Sequence, residues 1–377
     1  MHPPRDNPVR TRKRSVCAPT RLSAFGAGLL RRTLLAPLLA AILVIAGLAA
    51  LDYVFTSGLW TVVPVEYCLC DGNDTSTYVS WTIGRNKRHP PDVPAVYLLG
   101  GSTAREALLS GPSLAADVAR LGGPEVAAWN VGSSNQRFSE SLAIVDNVPR
   151  DSPTWVIIGI SPGRFTGSPA DSEREVVGFS LLTRSRHLQR YVSDEYGRYT
   201  NAATILPGIF AYLGEVLGAN ASAGRPVERE YHGFKYTLAR SYTPAQKDSM
   251  VATWFERAYP RFRANLDYNL AMLEQVVECA QARGLRVVLL DLPLNRRALD
   301  GRFDGVLAMY QTPVRALARD RGVPYVELDR ADPLPSSDFH DLMHLVEPGR
   351  ARWQGRLAGE LVRLMAADDV ARVRATR

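Results

Sequence analysis

The chain has 377 residues, 46% hydrophobic and 22% charged, a balance that excludes a disordered or fibrous protein. Its formal net charge of +7 is that of many nucleic-acid-binding proteins, but eight Arg or Lys residues and a single acid precede residue 33, so the remaining chain is close to neutral. Because no basic helix with interleaved aromatic residues follows, we expect no nucleic-acid partner.

An uncharged segment follows this basic tail. Residues 33–51, TLLAPLLAAILVIAGLAAL, carry no charge over 19 positions, enough for a helix to cross a hydrocarbon core of ~30 Å. Arg31 and Arg32 precede the segment and only Asp52 follows closely, so the positive-inside rule predicts a cytoplasmic N-terminus. We predict a single-pass protein of the bacterial inner membrane, with a cytoplasmic tail at 1–32, a transmembrane helix at 33–55 and a juxtamembrane connection at 56–94. A cleaved signal peptide is the alternative, although its apolar region is usually only ~7–15 residues long.

From residue 95 onward, short apolar runs alternate with helical patterns. Three strand-then-helix units come first, with their strands at 95–99, 126–131 and 155–160. An insertion with weaker periodicity is predicted at about 166–260. The alternation then resumes with a helix around 266–283, a strand at 285–292, a further helix, a strand at 325–328 and a last helix at about 347–365.

Strands that are apolar on both faces indicate a sheet covered by helices on both sides. Five such strands alternating with helices predict a three-layer α/β/α domain at 95–365, doubly wound around a parallel sheet with flavodoxin-like strand order, followed by a tail at 366–377. In such sheets ligands bind beyond the carboxyl ends of the strands, so the residues that follow each strand are the candidates for chemistry.

Ser102 follows the first strand in the sequence Gly100-Gly101-Ser102 and opens a helix. Its hydroxyl can face the crevice while its N–H faces a developing oxyanion. A phosphate-binding turn or a plain helix N-cap has the same local sequence. Near the end of the domain, FHDLMHLVEPG places Asp341 three residues before His344, a spacing at which a carboxylate can hold Nδ1 and leave Nε2 free to accept a proton from serine. A histidine capped by a nearby Asp is the structural alternative, and His340 with Glu347 is a second pairing of lesser fit.

Together these segments resemble the SGNH or GDSL hydrolase superfamily over about residues 95–365. The resemblance assigns the nucleophile to Ser102 in GGSTARE, an oxyanion glycine to Gly132 in NVGSSNQ, and the base and its orienting acid to His344 and Asp341. Membrane-tethered or exported variants, such as the teichoic-acid D-alanyl transfer proteins and the alginate acetylation proteins, are similar in layout.

Two positions depart from the family pattern. Gly101 replaces the usual Asp before the serine, and Gly159-Ile160-Ser161-Pro162 replaces G-x-N-D, so the oxyanion asparagine is missing. Ser161 and Asn135 are candidates for the missing donor, with turn stabilisation as the alternative for both. Asn295 and Arg105 are candidates for substrate contact, with a solvated helix residue as the alternative for Arg105.

Two classes of function fit these residues. The first is an extracytoplasmic serine esterase or O-acyltransferase that acts on a cell-envelope polysaccharide or related acyl ester. The second is a catalytically decayed module that binds glycan or docks a membrane-bound acyltransferase. We expect no cofactor and no metal, because the four cysteines form no repeated CxxC pair. A disulfide from Cys68 or Cys70 to Cys279 is one expectation, and free buried thiols are the other.

Overall fold

The computed structural model describes residues 21–69, 74–176, 182, 197–217 and 240–375. The chain divides into two compact units, Met1–Tyr53 and Val54–Arg377. The strands are β1 Ala95–Leu99, β2 Ala127–Asn130, β3 Thr154–Ile160, β4 Arg286–Asp291 and β5 Tyr325–Glu327. The α-helices are Arg21–Thr56, Val65–Cys68, Thr75–Arg88, Ser102–Arg105, Gly111–Arg120, Phe138–Asn147, Pro169–Val176, Gly197–Val216, Pro244–Thr253, Tyr259–Ala282, Arg296–Leu299, Asp304–Asp320 and Glu347–Ala375. Shorter 3₁₀ segments lie at Leu59–Val62, Pro162–Thr166 and Ser336–Asp338, and a π-helical turn lies at Trp254–Ala258.

The first unit contains most of the helix Arg21–Thr56. Within the described residues, Ala36–Thr56 is the one helical stretch long and apolar enough to cross a membrane. The described helix starts at Arg21, ahead of the predicted start at residue 33. The rest of the predicted cytoplasmic tail, residues 1–20, lies outside the described residues.

The second unit is built around a five-stranded, all-parallel sheet. The strand order is β2-β1-β3-β4-β5, so the predicted doubly wound parallel sheet and its strand order are confirmed. β1 pairs with β2 on one side and with β3 on the other, and the order reverses direction at this point. The carboxyl end of β1 therefore lies at the crevice where doubly wound sheets bind ligands.

Alternate strand residues enter two separate cores, one on each face of the sheet. Tyr97 and Leu99 of β1 belong to the core that contains the helices Phe138–Asn147, Tyr259–Ala282 and Asp304–Asp320. Val96 and Leu98 belong to the opposite core, with the helices Gly111–Arg120 and Glu347–Ala375. Burial on both faces explains why the strands are continuously apolar.

The region predicted as a juxtamembrane connection, residues 56–94, forms structure that belongs to the second unit. Its helix Thr75–Arg88 is capped by Asp74, and its residues Val79 and Ile83 are fully buried in the core with Tyr97. The sequence pattern did not show this helix because many of its buried positions are small and polar, among them Ser80 and Thr82. Such residues fill space without giving an amphipathic signal.

The predicted insertion and the last helix also differ in their bounds. The helix Pro244–Thr253 continues through the π-helical turn into Tyr259–Ala282, so the end of the predicted insertion is the beginning of a core helix. Trp254 and Phe262 pack together at this junction, with a ring-centroid distance of 6.1 Å. The last helix extends to Ala375 and includes most of the predicted tail. Residues 177–181, 183–196 and 218–239 lie outside the described part of the chain.

Cys68 and Cys279 are free and buried, so no disulfide joins them. The thiol of Cys279 contacts Asp146 Oδ1 at 3.0 Å. Burial raises the pKa of each thiol to about 12, so both are protonated at neutral pH. The alternative pairing through Cys70 involves a residue outside the described part of the chain.

Candidate active site

Residues 100–102, which we call the nucleophile turn, follow β1 directly. Gly100 has a φ of 154°, and a Cβ there would lie 2.7 Å from the Cβ of Ala104, so the position requires glycine. Ala104 and Arg105 donate their N–H groups to the carbonyl of Gly101, which starts the short helix Ser102–Arg105. Ser102 is half-buried, and its own N–H donates to no acceptor within the described residues. The turn thus presents both the hydroxyl and the N–H of Ser102 at the sheet edge.

Residues 339–346, the histidine loop, precede the last helix. Phe339 and Leu345 form an antiparallel bridge that closes the loop, and the N–H of His340 donates to the carbonyl of His344 at 2.8 Å. Inside the loop, Asp341 Oδ1 accepts the N–H groups of Met343 and His344, each at 2.8 Å. The three-residue spacing of Asp341 and His344 therefore produces a local turn as well as a side-chain pair.

The structure brings the three predicted residues Ser102, His344 and Asp341 together. His344 Nδ1 lies 2.7 Å from Asp341 Oδ2, and His344 Nε2 lies 2.9 Å from Ser102 Oγ. Burial acts to raise the pKa of Asp341, but hydrogen bonds from the His344 ring and from the loop N–H groups outweigh it and lower the pKa. An ionised Asp341 holds the proton of the neutral ring on Nδ1, which leaves Nε2 as the acceptor for the serine proton.

Asn295 was predicted to contact substrate, but the structure places it away from the crevice. It is fully buried, and its Nδ2 donates to the Asp341 carbonyl at 3.2 Å and to Ser336 Oγ at 3.1 Å. Its backbone N–H donates to the carbonyl of Leu342 at 2.9 Å. A buried amide with its hydrogen bonds made in this way cannot reach a ligand, so Asn295 positions the histidine loop from the end of β4.

Gly132 is also unsuited to its predicted role as an oxyanion donor. Its N–H donates to Asn130 Oδ1 at 3.0 Å, and the residue is buried. A Cβ at this position would lie 2.9 Å from the N atom of Arg105. Glycine is therefore needed here because the end of β2 packs closely against the helix Ser102–Arg105. Asn130 also donates to the carbonyls of Ala104 and Arg105 in that helix.

Asn135 and Ser161, the other oxyanion candidates, do lie beside the nucleophile. Both line the same cleft as Ser102 and His344. Asn135 is exposed with a left-handed φ of 56°, a conformation that asparagine tolerates better than most residues. Neither side chain makes a hydrogen bond to any described residue, so an amide and a hydroxyl donor are available at the cleft wall.

Arg105, the second substrate-binding candidate, is held away from the cleft. Its Nε donates to Glu106 at 2.9 Å and its Nη1 to Ser134 Oγ at 2.7 Å. Glu106 also pairs with Arg350 at 2.6 Å, and the side chains of Glu106 and Arg350 are each 2% exposed. Arg350 Nε reaches the carbonyl of Leu345, next to the proposed base. This buried ion pair joins the end of the helix Ser102–Arg105 to the histidine loop.

Sequence reasoning missed the residues that form the far wall of the cleft, a space of about 320 Å³. They come from three separate segments: Gln136, Arg137, Arg164, Trp254 and Arg261. Arg164 follows β3 by four residues, so the rule that sites lie beyond strand ends pointed to its segment. Trp254 and Ala258 lie in the π-helical turn, a feature often found at functional sites. His340, the alternative base, contacts Tyr242 and the Arg240 carbonyl instead of Ser102.

The chain matches no protein-family model and no curated protein. The decisive geometric feature is the unbroken hydrogen-bond chain from Asp341 through His344 to Ser102.

Proposed function

We propose that this protein is an acyl-ester hydrolase or O-acyltransferase whose nucleophile is Ser102. The observation that supports it is the hydrogen-bond chain, with Ser102 Oγ 2.9 Å from His344 Nε2 and His344 Nδ1 2.7 Å from Asp341. A serine hydroxyl becomes a competent nucleophile when an oriented neutral imidazole accepts its proton. The position of Ser102 beyond β1 and of His344 in the last loop agrees with the SGNH-like arrangement that the sequence motifs suggest.

In the proposed reaction, Ser102 Oγ attacks the ester carbonyl carbon while His344 Nε2 accepts the hydroxyl proton. The tetrahedral oxyanion would accept hydrogen bonds from the Ser102 N–H and from the side chains of Asn135 and Ser161. Collapse releases the alcohol, which takes the proton from His344, and leaves an acyl-serine. Water then completes hydrolysis, or a sugar hydroxyl completes acyl transfer, with His344 again accepting and returning the proton.

Covalent labelling by a fluorophosphonate tests this proposal, because the probe reacts with activated serines. The full-length protein in detergent should be labelled, and Ser102→Ala should not. Ser134→Ala is the matched control, since Ser134 lies nearby and bonds Arg105 but does not line the cleft. Equal labelling of the wild type and Ser102→Ala would contradict the proposal. The alternative, a decayed module that binds glycan or a membrane acyltransferase, gains support from Gly132, whose N–H is already bonded to Asn130.

We also propose that the catalytic unit lies outside the cytoplasm of a bacterial cell, where envelope polysaccharides carry acyl esters. The span Ala36–Thr56 supports membrane attachment, and the basic residues that precede it support a cytoplasmic N-terminus. A periplasmic reporter enzyme fused after Tyr53 should be active, and one fused before Arg31 should be inactive. The reverse pattern would exclude this topology and the envelope substrate with it.

A further inference from the structure

The cleft next to Ser102 has a marked excess of positive charge. Among the described residues that line it, Arg137, Arg164 and Arg261 are cationic, and none is an Asp or a Glu. Ester cleavage by a serine nucleophile requires the triad and oxyanion donors, and it does not require three guanidinium groups. The excess of positive charge therefore indicates the charge of the ligand that the cleft binds.

Arg164 is the most deeply placed of the three, with only 2% of its surface exposed. Its hydrogen bonds go to neutral acceptors: the carbonyls of Gly159, Gln136 and Arg137, and Ser141 Oγ. Burial lowers the pKa of Arg164 to about 9, so the guanidinium still carries its charge at neutral pH. Among the described residues no carboxylate hydrogen-bonds this cation, and the negative charge of Glu140 acts on it only through space, favouring its charged form.

Arg137 lies beside it at the cleft wall. Its Nη1 donates to Thr166 Oγ1 at 3.2 Å and weakly to the Gly163 carbonyl, again neutral acceptors. Its Nε is buried and has no acceptor within the described part of the chain. That nitrogen packs against Gly167 and cannot be reached from the cleft, but Nη2 of Arg137 makes no hydrogen bond to any described residue. Nη2 is therefore the donor that Arg137 offers to an anionic oxygen in the cleft.

Arg261 forms the rim. Its side chain is 54% exposed and pairs with Asp171 at 2.8 Å, outside the cleft lining. Asp171 is shared with Arg174, so one carboxylate faces two arginines at this edge. Among the described residues, Asp171 is thus the one carboxylate in direct contact with any of the three guanidinium groups of this cleft.

We infer that the ester substrate is anionic, with a carboxylate or phosphate group that lies against Arg137 and Arg261 while its acyl group lies at Ser102. Guanidinium groups bind both anions through charge-assisted hydrogen bonds, so the cleft by itself allows either. This inference rests on the proposed ester chemistry for its position at Ser102, but it predicts anion binding whether or not turnover occurs.

Binding of oligosaccharides to the full-length Ser102→Ala protein tests anion binding separately from ester turnover. An oligogalacturonide supplies carboxylates, a glycerol phosphate oligomer supplies phosphates, and a neutral xylo-oligosaccharide of equal length is the reference. We expect at least one anionic oligomer to bind about tenfold or more tightly than the neutral one, and to weaken as salt rises. Equal affinity for all three would overturn the inference, while the labelling experiment would still decide the nucleophile.

Turnover gives the second measurement. Relative to wild type, Arg137→Gln and Arg261→Gln should each lower the ratio of kcat/KM for an O-acetylated oligogalacturonide to that for an acetylated xylo-oligosaccharide by about tenfold, the loss of one charge-assisted contact. Arg174→Gln is the matched control, since it pairs with the same Asp171 but does not line the cleft. If the arginine variants lower kcat/KM equally for the charged and the neutral substrate, the arginines stabilise the transition state or the fold, and the inference is wrong.

Discussion

Replacement of Ser102 or His344 by alanine is expected to lower kcat for ester hydrolysis by on the order of 10⁴-fold or more. The physical reason is the 2.9 Å contact between Ser102 Oγ and His344 Nε2, because neither group works without the other. The double variant should therefore lose little more than either single variant. Acetate release from an acetylated oligosaccharide, measured with the full-length protein, checks this.

Asp341, the third residue of the triad, can be tested in the same assay. Asp341→Asn should lower kcat by up to about 10⁴-fold, because an amide N–H₂ facing His344 Nδ1 stabilises the wrong tautomer of the ring. His340→Ala is the matched control, because the side chain of His340 lies in the same loop and contacts Tyr242 instead of the triad, and alanine keeps the backbone N–H that the carbonyl of His344 accepts. Additive losses in Ser102→Ala/His344→Ala, or similar losses in the control, would contradict a coupled triad.

Breaking the buried ion pair between Glu106 and Arg350 is expected to lower the free energy of unfolding by about 3–5 kcal/mol. Both side chains are 2% exposed. Arg350→Met therefore leaves the buried Glu106 carboxylate with Arg105 as its cationic partner, and Glu106→Gln leaves the buried Arg350 guanidinium without that carboxylate. Thermal unfolding of the full-length protein in detergent measures the effect. The double variant Glu106→Gln/Arg350→Met should recover part of the loss, because it removes both charges together.

The activity of the double variant adds information that stability does not. Arg350 also reaches the carbonyl of Leu345, directly after His344, while Glu106 lies one helical turn after Ser102. We therefore expect the double variant to fold and still to have a lower kcat, because the nucleophile turn and the histidine loop are no longer joined. Arg352→Gln is the control, since Arg352 is 55% exposed in its pair with Asp338. Losses below about 1 kcal/mol in both single variants would show that the pair is not structural.

Much of the fold can be predicted from local sequence patterns, such as short runs of apolar residues. The five apolar strands and their parallel order were predictable, because a strand buried on both faces must be apolar along its length. The helix Thr75–Arg88 was not, since its buried face uses Ser80 and Thr82 and lacks an apolar stripe. Its place in the core depends on contacts with Val79 and Ile83 that only the folded chain creates.

The candidate site also has features that local sequence predicts and features that depend on contacts between distant segments. The amino-acid sequence by itself determined the local parts: a glycine turn that places Ser102 after β1, and a three-residue spacing that joins Asp341 to His344. Tertiary structure alone decided the long-range partners. Asn130 donates to the carbonyls of Ala104 and Arg105, Asn295 is buried beneath the histidine loop, and the buried Nε of Arg137 has no acceptor among the described residues. A local motif specifies backbone conformation within a few residues, but the acceptor that a donor finds depends on which distant segments the sheet brings to its edge.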